Sequence, residues 1–165
     1  MKRESGFTLA QVLIVISIIA TLSAAAVPGL VSWLPSYRLS SAARDVLSAL
    51  DLARLTAVRE NAGVAVIFTA ANGSYLLFVD NGEGGGVAND LTPNGSERTV
   101  RAGHMPPSVA ISSAVFGASA KVGFNGIGLP FRLGGSPGGG SVVLTNSKGK
   151  ALTIVLNIGG NARIQ

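Results

Sequence analysis

Residues 6–22, GFTLAQVLIVISIIATL, follow the short polar start MKRES and determine how the rest of the chain is interpreted. No charged side chain occurs between Glu4 and Arg38. Because a helix needs about 20 apolar residues to cross a bilayer, this uncharged stretch predicts a membrane-spanning helix. Lys2 and Arg3 precede it. Positively charged flanks stay in the cytoplasm, so the remainder of the chain is expected on the other side of the membrane.

Two other interpretations of this stretch stay open on hydropathy alone. A cleaved secretory signal has a shorter apolar core followed by a small-x-small cleavage site, and Ala24-Ala25-Ala26 fits such a site. Apolar and aromatic residues continue past these alanines to Trp33, which favours a helix that is kept in the mature protein. A plain anchor, holding a static domain at the membrane, fits the same residues.

The residues GFTL followed by an aliphatic run resemble the start of type IV pilins and of type II secretion pseudopilins. The resemblance implies that a prepilin peptidase cuts between Gly6 and Phe7 and methylates the new N-terminus. Residues 1–6 would then be a cleaved leader peptide, and residues 7–34 a transmembrane helix that later enters the filament core. Pro28 matches a second family feature, a proline that kinks this helix by removing one intrahelical hydrogen bond.

Gln11 departs from the family pattern, which usually has glutamate at the fifth position of the mature chain. The resemblance implies that such a carboxylate pairs with the N-terminal amine of a neighbouring subunit while both lie in lipid. An unpaired charge inside a membrane costs at least about 2.5 kcal/mol, and glutamine cannot neutralise it. Gln11 is therefore predicted to be an assembly residue of a minor subunit present in few copies. A second interpretation is that Gln11 simply lowers the cost of insertion.

Residues 35–62 are predicted to form an amphipathic helix that continues the membrane segment. Asp51 and Arg54, three residues apart, are placed to form a modest surface ion pair. The helix is expected to end near Asn61–Gly63, because glycine is common just past a helix end. Apolar residues recur at the three- and four-residue spacing of one helix face, namely Ala43, Val46, Leu47, Leu50, Ala53, Ala57 and Val58.

After Gly63 the apolar residues recur with the period of β-strands. GVAVIFTA and SYLLFVD flank Asn72-Gly73, and Asn-Gly between apolar runs favours a hairpin. SVVLTNS and ALTIVLN flank Lys148-Gly149-Lys150 and predict a second hairpin. Further short strands are predicted in SVAISSAV, KVGF and GIGLPFRL, and prolines such as Pro130 are placed to end or edge strands.

These patterns predict the fold class α+β. A long N-terminal membrane-spanning helix continues into the amphipathic helix, which packs on an antiparallel β-sheet or sandwich of about seven or eight strands. The β-rich globular domain is expected over residues 63–165, and the resemblance to pilins places it in the periplasm.

Residues 121–165 resemble the C-terminal part of GspH/FimT-type minor pseudopilins. That family shares a phenylalanine-x-glycine stretch, a following hairpin and a terminal segment similar to glycine-arginine-x-arginine. Here the last element reads Gly160-Asn161-Ala162-Arg163, so the second arginine alone is present.

Composition excludes several kinds of chemistry. The chain has 165 residues, no cysteine and a single histidine, which rules out disulfides, thiolate sites and multi-histidine metal sites. His104 lies in a stretch expected to be a Pro-rich loop, RAGHMPP, without a motif that links it to a nucleophile. No enzyme activity, cofactor or metal is predicted, and the loop DNGEGGGVAND is expected to be solvated because its spacing does not match a calcium-binding EF-hand.

DNA binding is the alternative function that the resemblance suggests, because some family members capture DNA at a pilus tip with basic residues near the C-terminus. Lys148, Lys150 and Arg163 are the predicted contacts, with Arg132 or Lys121 near them. Each phosphate contact would add salt-sensitive affinity. No aromatic residue follows Phe131, so stacking on bases is not expected there.

The resemblance therefore implies a minor pseudopilin that primes or caps a type II secretion pseudopilus or a type IV pilus. Its expected partners are other pilins or pseudopilins through the N-terminal helix, the prepilin peptidase, the inner membrane, and an exported protein or DNA. Small residues such as Ser17, Ala20 and Ser23 are plausible helix contact positions, because helices associate in lipid mainly by close packing.

Overall fold

The structure, a computed structural model, describes residues 8–165, without the side chains of residues 25–28 and 30. The chain divides into two compact units, one extending to Leu34 and one comprising Pro35–Gln165. A helix, α1, runs from Leu9 to Glu60 and contributes to both.

The part of α1 in the second unit buries one face. Leu39, Val46 and Ala53 are fully buried at the spacing of one helix stripe, which confirms the predicted amphipathic pattern. Val58 was expected on this stripe, but half of it is exposed. Directly after the last helical residue, Asn61 rather than a glycine adopts the left-handed conformation, with φ 47°. The N–H of Ala62 donates to the carbonyl of Ala57 over 3.2 Å and closes the helix end.

Two antiparallel sheets follow α1. The first has the strand order β3-β2-β1-β5-β6 and the second the order β4-β7-β8-β9. The strands are β1 Val64–Thr69, β2 Ser74–Val79, β3 Thr99–His104, β4 Val109–Val115, β5 Lys121–Phe124, β6 Pro130–Phe131, β7 Gly140–Asn146, β8 Ala151–Leu156 and β9 Ala162–Ile164.

Both predicted hairpins are confirmed. β1 and β2 are joined by a short 3-10 turn, Ala70–Asn72, followed by Gly73 in the left-handed region at φ 61°. β7 and β8 are joined by a turn in which Gly149 has φ 78°. The side-chain oxygen of Asn146 fixes that turn, because it accepts hydrogen bonds from the N–H groups of Lys148 and Lys150 over 3.0 and 2.9 Å.

The structure corrects three strand assignments. The stretch GIGLPFRL was predicted as a strand, but only Pro130–Phe131 pairs, at the sheet edge. The residues before it form a turn in which Asn125 Oδ1 accepts from the N–H groups of Ile127 and Leu129. Strands β3 and β9 were not predicted. His104 therefore ends a strand opposite Ser74 instead of lying in a loop.

One hydrophobic core joins α1 to both sheets. Leu50 and Ala53 of the helix, Leu77 of the first sheet and Leu144 of the second sheet belong to the same buried cluster. Tyr75 adds a polar tie, because its hydroxyl donates to Asp45 Oδ2 on the helix over 2.6 Å, and Asp45 is also paired with Arg101 of β3. Burial and the Asp45 carboxylate raise the pKa of Tyr75, so its hydroxyl remains a donor at physiological pH.

The other face of the first sheet has its own small core, formed by Ala65, Phe78, Leu91 and Phe131. Leu91 comes from the long connection between β2 and β3 and is fully buried, although its φ of 56° is unusual for a non-glycine residue. The carboxylate of Asp80 holds this segment, because it accepts hydrogen bonds from the N–H groups of Asn89 over 2.7 Å and of Leu91 over 2.9 Å.

The first prediction concerns Gly103, which lies opposite Tyr75 in the β2–β3 pair. A Cβ at this position would lie 2.4 Å from Cζ of the Tyr75 ring. Gly103→Ala should therefore lower the free energy of unfolding by about 1–3 kcal/mol, the usual cost of overpacking, as measured by denaturant unfolding of the full chain in detergent micelles. Ser112→Ala, at an exposed position of β4, is the matched control. Equal stability of the two variants would contradict the packing described above.

The second prediction concerns Asp80. Asp80→Asn replaces one of its two acceptor oxygens by a donor that faces a backbone N–H. The free energy of unfolding should fall by about 1–3 kcal/mol, whereas Asp51→Asn at an exposed helix position should have little effect.

The decrease in the free energy of unfolding caused by Asp80→Asn should also depend on pH. Burial raises the pKa of Asp80 above the ordinary value of 3.8, although the hydrogen bonds from Leu91 and Asn89 oppose this shift. The folded protein thus binds a proton here more readily than the unfolded chain, so the carboxyl group stabilises the fold more as the pH falls from neutral towards 3.8. The difference between the wild type and the variant should therefore be larger at acidic than at neutral pH, and a constant difference would contradict this.

Candidate functional site

Between Leu9 and Leu22, α1 has aliphatic side chains on every side. Their exposed fractions range from 47% for Val12 to 81% for Leu9. The exposed set comprises Leu9, Val12, Leu13, Ile14, Val15, Ile16, Ile18, Ile19 and Leu22. A helix that is apolar all round is typical of segments that are covered by other apolar groups or by lipid.

In the part of the chain that the structure describes, no helix has the combination of length and apolarity that crossing a bilayer requires.

Thr8 and Gln11 interact reciprocally at the start of α1. The N–H of Thr8 donates to Gln11 Oε1 over 3.0 Å, and the N–H of Gln11 donates to Thr8 Oγ1 over 3.3 Å. This is the arrangement called a capping box, in which two side chains satisfy backbone donors at a helix start. The Thr-x-x-Gln spacing in the sequence is the signal that could have predicted it.

The remaining polar side chains between Thr8 and Leu22 are also bonded within the helix. Ser17 Oγ donates to the carbonyl of Leu13 over 2.8 Å, and Thr21 Oγ1 donates to the carbonyl of Ser17 over 2.7 Å. All four polar side chains of this segment thus use the backbone of their own helix.

Three of the predicted site residues are described only in part or not at all. Gly6 and Phe7, the predicted processing residues, lie outside the described residues. Pro28 lies within the bounds of α1, and its side chain is not described. The cleavage, the methylation and the kink therefore stay predictions.

Arg54 on α1 contacts the C-terminal turn. The predicted pair with Asp51 does not form among the described residues. Instead, Arg54 Nη1 donates to the carbonyl of Gly160 over 3.2 Å and to Asn161 Oδ1 over 3.0 Å. Asn161 occupies the first arginine position of the terminal family segment, and the structure gives it a role as an acceptor for Arg54. The sequence contains no signal for a contact between residues so far apart.

The predicted DNA contacts are not brought together in one patch. Lys148 and Lys150 lie in the β7–β8 turn, whereas Arg163 pairs with Val155 near the other end of β8. Val155 comes five positions after Lys150, which corresponds to roughly 17 Å along an antiparallel strand. Of the residues expected near them, Lys121 Nζ donates to Thr92 Oγ1 and Arg132 Nε donates to the carbonyl of Pro137. DNA binding stays a prediction.

The acidic side chains of the loop after β2 stabilise the loop itself. Asp80 holds the segment that ends in Leu91, as described above, and Asp90 Oδ2 accepts from Asn94 Nδ2 over 2.8 Å. Glu97 accepts from the backbone N–H groups of Gly82 and Asn94, each over 3.0 Å. Within residues 8–165, no group of three acidic, histidine or cysteine side chains is placed to hold a metal ion.

Comparisons with known proteins identify a family model and one curated relative. The chain matches the family model of type II transport protein GspH over residues 42–160. The pilin-like protein PilA1 of Thermus thermophilus is 41% identical over 76 residues, which are 46% of this chain and 47% of that protein. The chain thus spans about half the length of this curated relative.

A solved structure shares the fold. The minor pseudopilin EpsH from the type 2 secretion system of Vibrio cholerae matches with a TM-score of 0.56 and 7% sequence identity. The match covers 78% of this chain and 96% of that one. The family model covers more than half of the chain, from the buried face of α1 to the turn before β9, and so the chain belongs to the GspH family of type II transport proteins.

Proposed function

We propose that this chain is a membrane-inserted minor pseudopilin that primes or caps the filament of a type II secretion system. Its family and fold are those of structural subunits. The observation that carries the proposal is the helix surface between Leu9 and Leu22, which is aliphatic on every side and exposed. Such a surface is unfavourable in water, and lipid or similar helices would cover it.

The same surface supports a role for the helix in two environments. Before assembly, residues 7–34 would hold the subunit in the inner membrane, with Lys2 and Arg3 on the cytoplasmic side and the β-rich unit in the periplasm. During assembly, the helix would exchange lipid contacts for contacts with the helices of other pseudopilins. Small residues such as Ser17 and Ala20 allow the close approach on which helix packing in lipid depends.

The β-rich unit would provide the contacts that distinguish this subunit from others. It has its own core, which joins residues of α1 to both sheets. Its fold therefore does not require lipid or other helices to cover the N-terminal part of α1. Neighbouring pseudopilins or an exported protein are the partners we propose for its outer surface. The absence of a carboxylate at Gln11 supports a minor subunit present in few copies, because Gln11 cannot supply the charge pairing that is usual in the family.

The third prediction tests processing at Gly6 and Phe7. The mature wild-type protein, isolated from cells that contain the prepilin peptidase, should lack residues 1–6 and carry one methyl group on the amine of Phe7. Intact-mass spectrometry measures both changes. Gly6→Ala should block the cut, whereas Ser5→Ala, a matched change one position earlier, should not. A wild-type chain that still begins with Met1 would contradict the filament role.

The fourth prediction tests packing in the filament. Because the chain has no cysteine, a single introduced cysteine is a unique thiol. Ser17→Cys should be joined by a bifunctional thiol reagent to a cysteine in the corresponding helix of the major pseudopilin. Ser112→Cys, exposed on β4, is the control and should give much less of this product. Equal and low yields for both variants in cells that assemble filaments would indicate a static membrane anchor.

A further inference from the structure

We propose that Thr8 and Gln11 form a neutral capping box that closes the start of α1 within the chain itself. The two reciprocal hydrogen bonds, 3.0 and 3.3 Å long, are the observation that leads to this proposal. The inference rests on the proposed function in one respect, namely that this end of the helix lies in lipid. Gln11 is then a positioning residue for its own helix rather than a partner for a neighbouring subunit.

The start of a helix is the part of its backbone that is unfavourable to place in lipid. The first backbone N–H groups of a helix have no partner within it, and each unsatisfied group costs several kcal/mol in hydrocarbon. The box gives the N–H of Thr8 an acceptor in Gln11 Oε1. It also adds Thr8 Oγ1 as a second acceptor for the N–H of Gln11, which donates to the carbonyl of Thr8 over 3.1 Å as well. Fewer backbone N–H groups at the helix start therefore need a hydrogen bond to water.

A second observation points the same way. Ser17 and Thr21 also donate to carbonyls of the preceding helical turn. Each polar side chain from Thr8 to Leu22 therefore makes a hydrogen bond to the backbone of its own helix. No side chain in this segment can titrate. The hydrogen bonds of the box therefore do not depend on the protonation state of any side chain from Thr8 to Leu22.

Glutamine and glutamate both serve at this position of a capping box. The choice of glutamine at residue 11 therefore retains the cap and removes the charge. This interpretation replaces the expectation, implied by family resemblance, that residue 11 acts mainly across a subunit interface. It also gives Thr8 a role, which an interaction between subunits through Gln11 alone would not require.

The test uses the full chain in detergent micelles and measures hydrogen exchange at the amides of residues 8 and 11 by NMR. Thr8→Val and Gln11→Leu each remove one half of the box and keep the side-chain size. Thr8→Val should accelerate exchange at the amide of residue 11, and Gln11→Leu should accelerate it at the amide of residue 8. Each increase should be about 2- to 30-fold, the range that corresponds to the loss of a helix cap. The double variant should show both increases, because the two changes remove the acceptors of two different hydrogen bonds.

Conservative variants provide the controls. Thr8→Ser and Gln11→Glu keep a side-chain acceptor at each position and should exchange at nearly the wild-type rate. If Thr8→Val leaves exchange at residue 11 unchanged, or if Gln11→Leu leaves exchange at residue 8 unchanged, the box is not formed and the inference is wrong.

Filament incorporation of the same variants separates this inference from the proposed function. Equal loss of incorporation in Thr8→Val and Gln11→Leu, with both conservative variants at the wild-type level, supports the box as an assembly device. Loss in Gln11→Leu without loss in Thr8→Val shows that Gln11 acts on a neighbouring subunit and overturns the inference. A wild-type chain that never enters filaments overturns the proposed function, while the exchange measurement still decides on the box.

Discussion

The contact between the buried face of α1 and the inner faces of both sheets is the interaction on which the C-terminal unit depends. Small side chains at Ala43, Ala49 and Ala53 are fully buried there, so the helix backbone lies close to the strands. Larger residues such as Leu39 and Leu50 fill the space on either side. Neither sheet could bury its apolar face without this helix, because each is one layer of a core that the helix joins.

The first sheet places a further demand on the chain, because its central strand is apolar on both faces. Val64 and Val66 of β1 face the helix core, whereas Ala65 faces the small core on the opposite side. A sheet covered on one face by a helix usually leaves the other face to water. Here the connection after β2 folds back, and the buried carboxylate of Asp80 holds Leu91 over that face. The glycine-rich loop is therefore a structural cover.

Elements with local signals could be predicted from the sequence, and those that depend on distant contacts could not. The amphipathic stripe of α1 and the Asn-Gly hairpin follow from period and turn chemistry, and the spacing Thr-x-x-Gln contains the signal for the capping box. Strand β3 was missed because Arg101 and Gly103 break the apolar alternation, and pairing with β2 and the ion pair to Asp45 hold it instead. The contact of Arg54 with the C-terminal turn depends on how α1 and the second sheet come together in the folded unit.

α1 is subject to two different constraints along its length. Between Leu39 and Ala57, each buried position must fit a particular place in a packed core, so few side chains are suitable. Between Leu9 and Leu22, the side chains are exposed, and many aliphatic residues would serve equally well there. The family model matches residues 42–160, which include most of the packed stripe. The side chains that bond to the backbone of their own helix in this first segment are the few polar ones, and the aliphatic residues play no part in these bonds. The four polar residues are Thr8, Gln11, Ser17 and Thr21.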